Sequence, residues 1–531
     1  MSKLKLSFPT RFTSETVLDT TTYIGFLIFV LALPFGYSTA FLNIGLSLVA
    51  FGWVGRIVSE RKLGWQRTPL DIPIALFLAL ALIACLLAPH PATSSLGYFW
   101  KLLRAILLFY AIIHSRLGSR WKHIVIAFIA AAGISSALGL WYYANDTRLA
   151  IDFMGRVGLQ FKEELKPSKS PNLQISEEFR TELRACNVPL SQNVSISPSK
   201  QPNEWWINDP ARQRRYVIRP NETHLMVYMI EQRLTGTFKM PNDLGAYLAL
   251  SLPFVMGYFV ASWRRDTKQK LPIWIILVLG AIVVVMSANL MLTLTRAAWV
   301  STIIAIVFLG VYFIVIALRK LSEARHRVTS KAPVHGLGKH ILFGSIIIIV
   351  LLSLSLFLVP QHIKTRFQTM IEHPVGFMGE RPQWWQTALE LIQKYPLTGI
   401  GLGRFRYEYQ TSGPGSPPVT GEGQEQYNVP YHAHNIYLHI AVEHGIPSLL
   451  LFLWIVVIIY QQIFAGHQAS DFWGKGTFIG ASGFLISALV YGLADNILHQ
   501  RTVLLFYLII GIIFYLKPSK DKKHEKTSET G

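Results

Sequence analysis

Charge is scarce in this chain. Only 15% of its 531 residues are charged, while 51% are hydrophobic; an ordinary soluble domain is about 25% charged. Acids are the scarcer sign, with 30 Asp and Glu against 50 Lys and Arg, for a net charge of +20. Cysteine is nearly missing. Cys85 lies in an apolar run and Cys186 in a polar stretch, which excludes a disulfide framework and a thiolate metal site. The short alternating segments of a β-barrel are absent. No cleavable signal peptide is expected, because the first apolar run leads directly into a second. The run Gly399-Ile400-Gly401-Leu402-Gly403 lacks the Lys-Ser/Thr ending and the strand context of a phosphate loop.

What remains is a series of long apolar runs, which predicts an all-α polytopic membrane protein. Twelve transmembrane helices are expected, with two large extracytoplasmic loops. Residues 1–144 hold spans one to five, near 21–36, 39–55, 71–88, 98–114 and 123–143. Residues 145–232 form an insertion. Residues 233–360 hold spans six to nine, near 241–262, 271–292, 296–318 and 341–359. A second loop covers 361–433, spans ten to twelve lie near 434–460, 475–494 and 500–516, and 517–531 form a lysine-rich, disordered tail. That short tail predicts no added carboxy-terminal domain.

The net charge does not indicate nucleic acid, because the basic residues sit between spans. Arg56, Arg61, Lys62 and Arg67 follow span two; Arg116, Arg120 and Lys122 follow span four; Arg264, Arg265, Lys268 and Lys270 follow span six. Arg319, Lys320, Arg325, Arg327, Lys331 and Lys339 follow span eight. The positive-inside rule puts these links and both termini in the cytoplasm. Both long loops then face outward, which excludes ATP and nucleotide sugars as direct substrates.

The insertion is loosely punctuated by Pro167, Pro171, Pro189, Pro198 and Pro202, and from Trp205 it alternates aromatic and basic residues. Arg212, Arg214, Arg215 and Arg219 suit anionic lipid headgroups or an anionic substrate, or else a solvated loop with interfacial aromatics. In the second loop, Pro382 to Lys394 carries Trp385, Leu389 and Ile392 at helical spacing, which predicts a membrane-surface helix. Residues 411–424, rich in Gly, Pro, Ser and Thr, read as a flap that admits a bulky substrate.

Ionisable residues gather where this loop meets span ten, in Tyr431-His432-Ala433-His434-Asn435-Ile436-Tyr437-Leu438-His439. Charge at a span's edge marks a functional site by default, against the bland alternative of an interfacial rim. Arg233 stands just before span six, and Arg296 at the tight turn between spans seven and eight. An arginine at a span end is often a topology anchor, but Arg296 falls on the outer side, where anchoring is less expected. Guanidinium groups bind phosphate in a bidentate manner and stay charged. A histidine takes a proton from a hydroxyl nucleophile near neutral pH. The combination suits an acceptor hydroxyl attacking a lipid-linked diphosphate donor, with arginines stabilising the departing pyrophosphate. Lys101 and Arg104, near the outer part of span four, either guide the lipid diphosphate or snorkel to the interface.

Four stretches resemble the O-antigen ligase and polymerase superfamily of bacterial envelope glycosyltransferases: residues 233–250, 292–301, 381–405 and 432–452. The resemblance implies a GT-C-like fold in the bacterial inner membrane and an inverting, metal-independent transfer of glycan from undecaprenyl diphosphate. It implies His434 as the base and Arg233 and Arg296 as essential. Arg381, His432 and Asn435 are the expected substrate contacts beside them, with His432 a rival for the base, and Arg215, Arg219, Lys101 and Arg104 further ones. No metal or cofactor is expected. The acceptor is lipid A-core for a ligase, the favoured reading, or a growing glycan for a polymerase. The insertion is longer than the resemblance predicts and is a candidate substrate-recognition element. A third reading, an inorganic-carbon (bicarbonate) transporter, requires polar residues at the bilayer midplane. The middles of these spans are nearly free of acids.

Overall fold

The structure is a computed structural model. It describes residues 14–62, 64–88, 93–145, 147–165, 175–199, 203–212, 214–262, 271–326, 381–412, 430–467, 469, 471–498 and 500–516. Expected span nine, the links 263–270 and 327–339, the flap 413–424, Pro167, Pro171 and Pro202, and the tail 517–531 lie outside the described residues.

Among the described residues, nine helices precede the second loop region: α1 (Ser14–Ala32), α2 (Thr39–Glu60), α3 (Asp71–Leu86), α4 (Thr93–His114), α5 (Trp121–Ala144), α6 (Glu177–Ala185), α7 (Pro241–Ser262), α8 (Ile273–Leu292) and α9 (Arg296–His326). Six more follow: α10 (Arg381–Lys394), α11 (Phe405–Ser412), α12 (Ile436–His444), α13 (Ile446–Gly466), α14 (Phe472–Gly492) and α15 (Gln500–Tyr515). Among the described residues, six helices are long and apolar enough to cross a membrane, and four shorter ones are apolar as well. The chain is a multi-pass helical membrane protein.

The bundle is built around α7, which is buried on nearly every side. Against it lies α14, whose Gly476-Thr477-Phe478-Ile479-Gly480 spacing lets two backbones touch. A Cβ on Gly257 of α7 would fall 2.2 Å from the Gly480 amide nitrogen, so side chains on these residues would push the helices apart. By contrast, α8 turns Ile273, Trp274, Leu277 and Val278 outward, as a lipid-facing helix does.

The insertion departs from the all-α expectation. It folds into a five-stranded antiparallel sheet, β1 (Leu149–Gly158), β2 (Ser195–Pro198), β3 (Trp205–Asp209), β4 (Arg214–Pro220) and β5 (His224–Leu234), in the order β1-β5-β4-β3-β2. The alternation read as a loop with aromatic anchors is strand periodicity. Ile207, Tyr216, Ile218, Leu225 and Val227 point to one face and form a separate core with Phe179 and Leu183 of α6. Trp206, Arg215, Arg219 and Tyr228 take the opposite face, where Arg215 stacks on Trp206 and Arg219 on Tyr228.

Two further expectations are corrected. Span ten is not one helix: it breaks at Gly445, whose φ of 85° separates α12 from α13. A Cβ there would meet the Leu397 carbonyl oxygen at 2.2 Å. The glycine run of the second loop closes the break by donating the Ile400 and Gly401 amides to the Val442 and Glu443 carbonyls. Freed helix carbonyls must find such partners. The surface helix forms as α10, but it buries Thr387, Ala388 and Leu391, and Leu389 is half exposed. The apolar face is thus rotated from the one expected.

Candidate active site

α12 begins at Asn435, whose side-chain oxygen accepts from the Tyr437 and Leu438 amides as an N-cap. Its Nδ2 donates to the Leu493 carbonyl (3.1 Å), and the Tyr437 hydroxyl donates to the Leu489 carbonyl (3.0 Å). Asn435, expected as a substrate contact, therefore anchors the start of α12 to the end of α14. The anchoring brings the histidines against the link between α14 and α15, where Asp495 stands.

His434 Nδ1 lies 3.0 Å from Asp495 Oδ1. Burial alone would raise the Asp495 carboxyl. The hydrogen bond and charge of His434, the charge of His432 and the Asn496 amide instead hold it well below the usual carboxylate range. An ionised carboxylate fixes the His434 tautomer with the proton on Nδ1, so the Nε2 lone pair is available to a substrate. The Tyr491 hydroxyl donates to Asp495 Oδ2 at 3.3 Å and the Asn496 amide to Oδ1 at 2.8 Å. The His434 ring lies against Trp384 of α10, with centroids 4.7 Å apart and the planes tilted by 31°. Its backbone has φ 47°, a conformation that costs an L-residue about 1–2 kcal/mol and is concentrated at functional sites.

His432 is arranged differently. Its Nδ1 accepts the His434 amide at 3.2 Å, and its Nε2 lies 3.8 Å from Asp495 Oδ1. Both of its ring nitrogens face protein groups, and the two histidine rings are 4.1 Å apart. His439 pairs with Glu443 (3.5 Å), whose carboxylate accepts the Gly403 and Phe405 amides. The last residue of the glycine run thus donates to a side chain of the chain itself, Glu443.

β5 carries Arg233 out of the sheet to the turn between α8 and α9. There its guanidinium donates to the Thr293 carbonyl (3.1 Å), to Asn242 Oδ1 (2.6 Å) and to Glu231 (3.2 Å). Arg296 opens α9 just after Leu294, which has φ 52°, and the charges of Arg381 and Arg233 act on it. Arg381 opens α10 one turn before Trp384, and its charge also acts on Tyr491. Three arginines thus converge beside the His434–Asp495 pair. Arg215 and Arg219 lie on the open sheet face, and Lys101 and Arg104 on α4, outside this convergence.

Residues 281–453 match the family model described as O-antigen ligase. This bears out the superfamily resemblance read from the sequence. No match is found among curated proteins. The matched segment contains Arg296, Arg381, His432 and His434, while Arg233 and Asp495 reach the site from outside it. Asp495 is the candidate site residue that the sequence reading missed. Its signal was an acid at the end of an apolar run, in Tyr491-Gly492-Leu493-Ala494-Asp495-Asn496.

The ligand atoms of His432, His434 and Asp495 lie within 4.8 Å of one another, a set that could also hold a divalent ion. The hydrogen-bonded arrangement predicts that EDTA dialysis leaves glycan transfer unchanged, whereas loss of activity restored by one added metal would make these residues ligands.

Proposed function

We propose that this protein is a metal-independent, inverting glycosyltransferase of the O-antigen ligase type. It moves a glycan from undecaprenyl diphosphate to a hydroxyl of lipid A-core at the periplasmic face of the bacterial inner membrane. In this reading the chain has twelve spans, a GT-C-like fold and cytoplasmic termini. The observation that carries the proposal is the His434 imidazole, held at Nδ1 by ionised Asp495 with Nε2 available, beside three converging arginines.

The acceptor oxygen attacks the anomeric carbon of the donor. Its proton passes to His434 Nε2 as the carbon–oxygen bond to the diphosphate breaks. Asp495 stabilises the resulting imidazolium. Arg296, Arg233 and Arg381 meet the charge that develops on undecaprenyl diphosphate. A single displacement of this kind inverts the anomeric centre. The open face of the sheet, with Arg215 and Arg219 stacked on aromatic rings, contacts the glycan; β5 connects that face to Arg233.

The purified protein, reconstituted with undecaprenyl-diphosphate-linked glycan and lipid A-core, is expected to yield glycosylated lipid A-core and free undecaprenyl diphosphate. Lengthening of the lipid-linked glycan alone would make it a polymerase. Bicarbonate uptake into the vesicles without transfer would return the transporter reading. In the same assay Arg296→Ala is expected to lower kcat about 10²- to 10³-fold, the scale of losing one charge-stabilising donor. Unchanged kcat would leave Arg296 a topology anchor.

A further inference from the structure

α4 holds positive charge at a depth where a spanning helix seldom does. Lys101 and Arg104 lie within Ser95–His114, a stretch apolar and long enough to cross a membrane. Three residues apart, they share a face of the helix. Lys101 is exposed, with Nζ 4.4 Å over the Tyr98 ring. Arg104 donates Nη1 to Asn43 Oδ1 of α2 at 3.2 Å, and its Nε is buried with no hydrogen-bond partner. Among the described residues no carboxylate pairs with either cation. Unpaired charge at membrane depth indicates a ligand.

A second element supplies more charge to the same place. Gly403 presses its backbone onto Tyr98, so that a Cβ there would lie 2.3 Å from the ring. The chain then runs into α11, where Arg404 stacks on Tyr407 and Arg406 on Tyr431 at 4.2 Å. Glu443, the hydroxyl of Tyr431 and the charge of Arg406 all act on Tyr98. Lys101 and Arg406 therefore meet at Tyr98, and Arg404 follows the Gly403 backbone that packs on the same ring. This cluster shares no residue with the trio of Arg233, Arg296 and Arg381. It is reached from His434 through His432 and Tyr431, whereas the trio is reached through Trp384 and Tyr491. Beside it, Trp100 of α4 and Phe41 and Ile44 of α2 are exposed apolar side chains, a surface suited to acyl chains.

We propose that Lys101, Arg104, Arg404 and Arg406 bind the phosphate of a second lipid, the phosphorylated saccharolipid that accepts the glycan. The inference rests on the transfer reading above. If the trio holds the diphosphate of the donor, an acceptor that is itself an anionic lipid needs its own cationic site at the same membrane face. The four cations supply the complementary charge, and the apolar face of α2 and α4 is open to its chains.

The test is equilibrium binding of fluorescent bisphosphorylated lipid A to the full chain in phosphatidylcholine nanodiscs. Lys101→Ala and Arg406→Ala are each expected to weaken binding about tenfold, the scale of one charge-assisted contact. Dephosphorylated lipid A is expected to bind wild type weakly, with no further loss in the variants, and excess undecaprenyl diphosphate is expected not to displace lipid A. Displacement by undecaprenyl diphosphate, equal affinity for phosphatidylglycerol, or unchanged binding in folded variants would overturn the proposal. The two readings fail separately. If the transfer reading is wrong, product is missing in the transfer assay although lipid A binds; if this inference is wrong, transfer proceeds although lipid A binding ignores Lys101 and Arg406.

Discussion

His434→Ala removes glycan transfer by at least about 10²- to 10⁴-fold, the usual contribution of a positioned general base. The loss is expected to fall on kcat, because the arginines proposed to hold the donor diphosphate are untouched. Alanine at φ 47° is strained, so the companion variant is His434→Asn. Asparagine tolerates the left-handed region but cannot act as the base. Both variants are expected to purify as folded protein and to bind undecaprenyl diphosphate as wild type does. Release of undecaprenyl diphosphate under single-turnover conditions checks this directly. Near-normal turnover in both would move the base role to His432 or remove it.

Asp495→Asn has the next largest effect, about 10²- to 10⁴-fold on kcat. An asparagine carries no charge to stabilise the imidazolium. It can also turn its amide to donate to His434 Nδ1, which places the ring proton on Nε2, where the acceptor hydroxyl needs a lone pair. Donor KM is expected to stay within a few-fold of wild type, since Asp495 does not face the diphosphate in this account. Asp495→Glu keeps the charge and should recover part of the rate. A purely structural role would instead show equal losses in both variants, with reduced folded yield.

How far the sequence revealed these features depends on the kind of signal each carries. Long apolar runs declare spanning helices because the period and length are unambiguous. Arg233, Arg296 and His434 stood out because charge at a span's edge is costly enough to be noticed. Asp495 did not, since its role depends on a partner 61 positions earlier in the chain, and a lone acid after an apolar run reads locally as an ordinary span end. The sheet was misjudged for a different reason: short strands whose apolar positions include Trp205 and Tyr216 resemble an interfacial aromatic loop when read in isolation. Gly445 was passed over because a lone glycine inside an apolar run is compatible with an unbroken helix. Only the Leu397 carbonyl, packed against it from a distant loop, makes glycine obligatory there. The glycine run at Gly399–Gly403 lacks the ending of a phosphate loop, and its Gly403 amide donates instead to the Glu443 carboxyl group.

The most direct test of transfer to lipid A-core is a lipopolysaccharide gel from cells lacking this protein, complemented with wild type or His434→Ala. The account predicts bare core and accumulated lipid-linked polymer in the deletion strain, full rescue by wild type and none by the variant. A ladder unchanged by the deletion would contradict it.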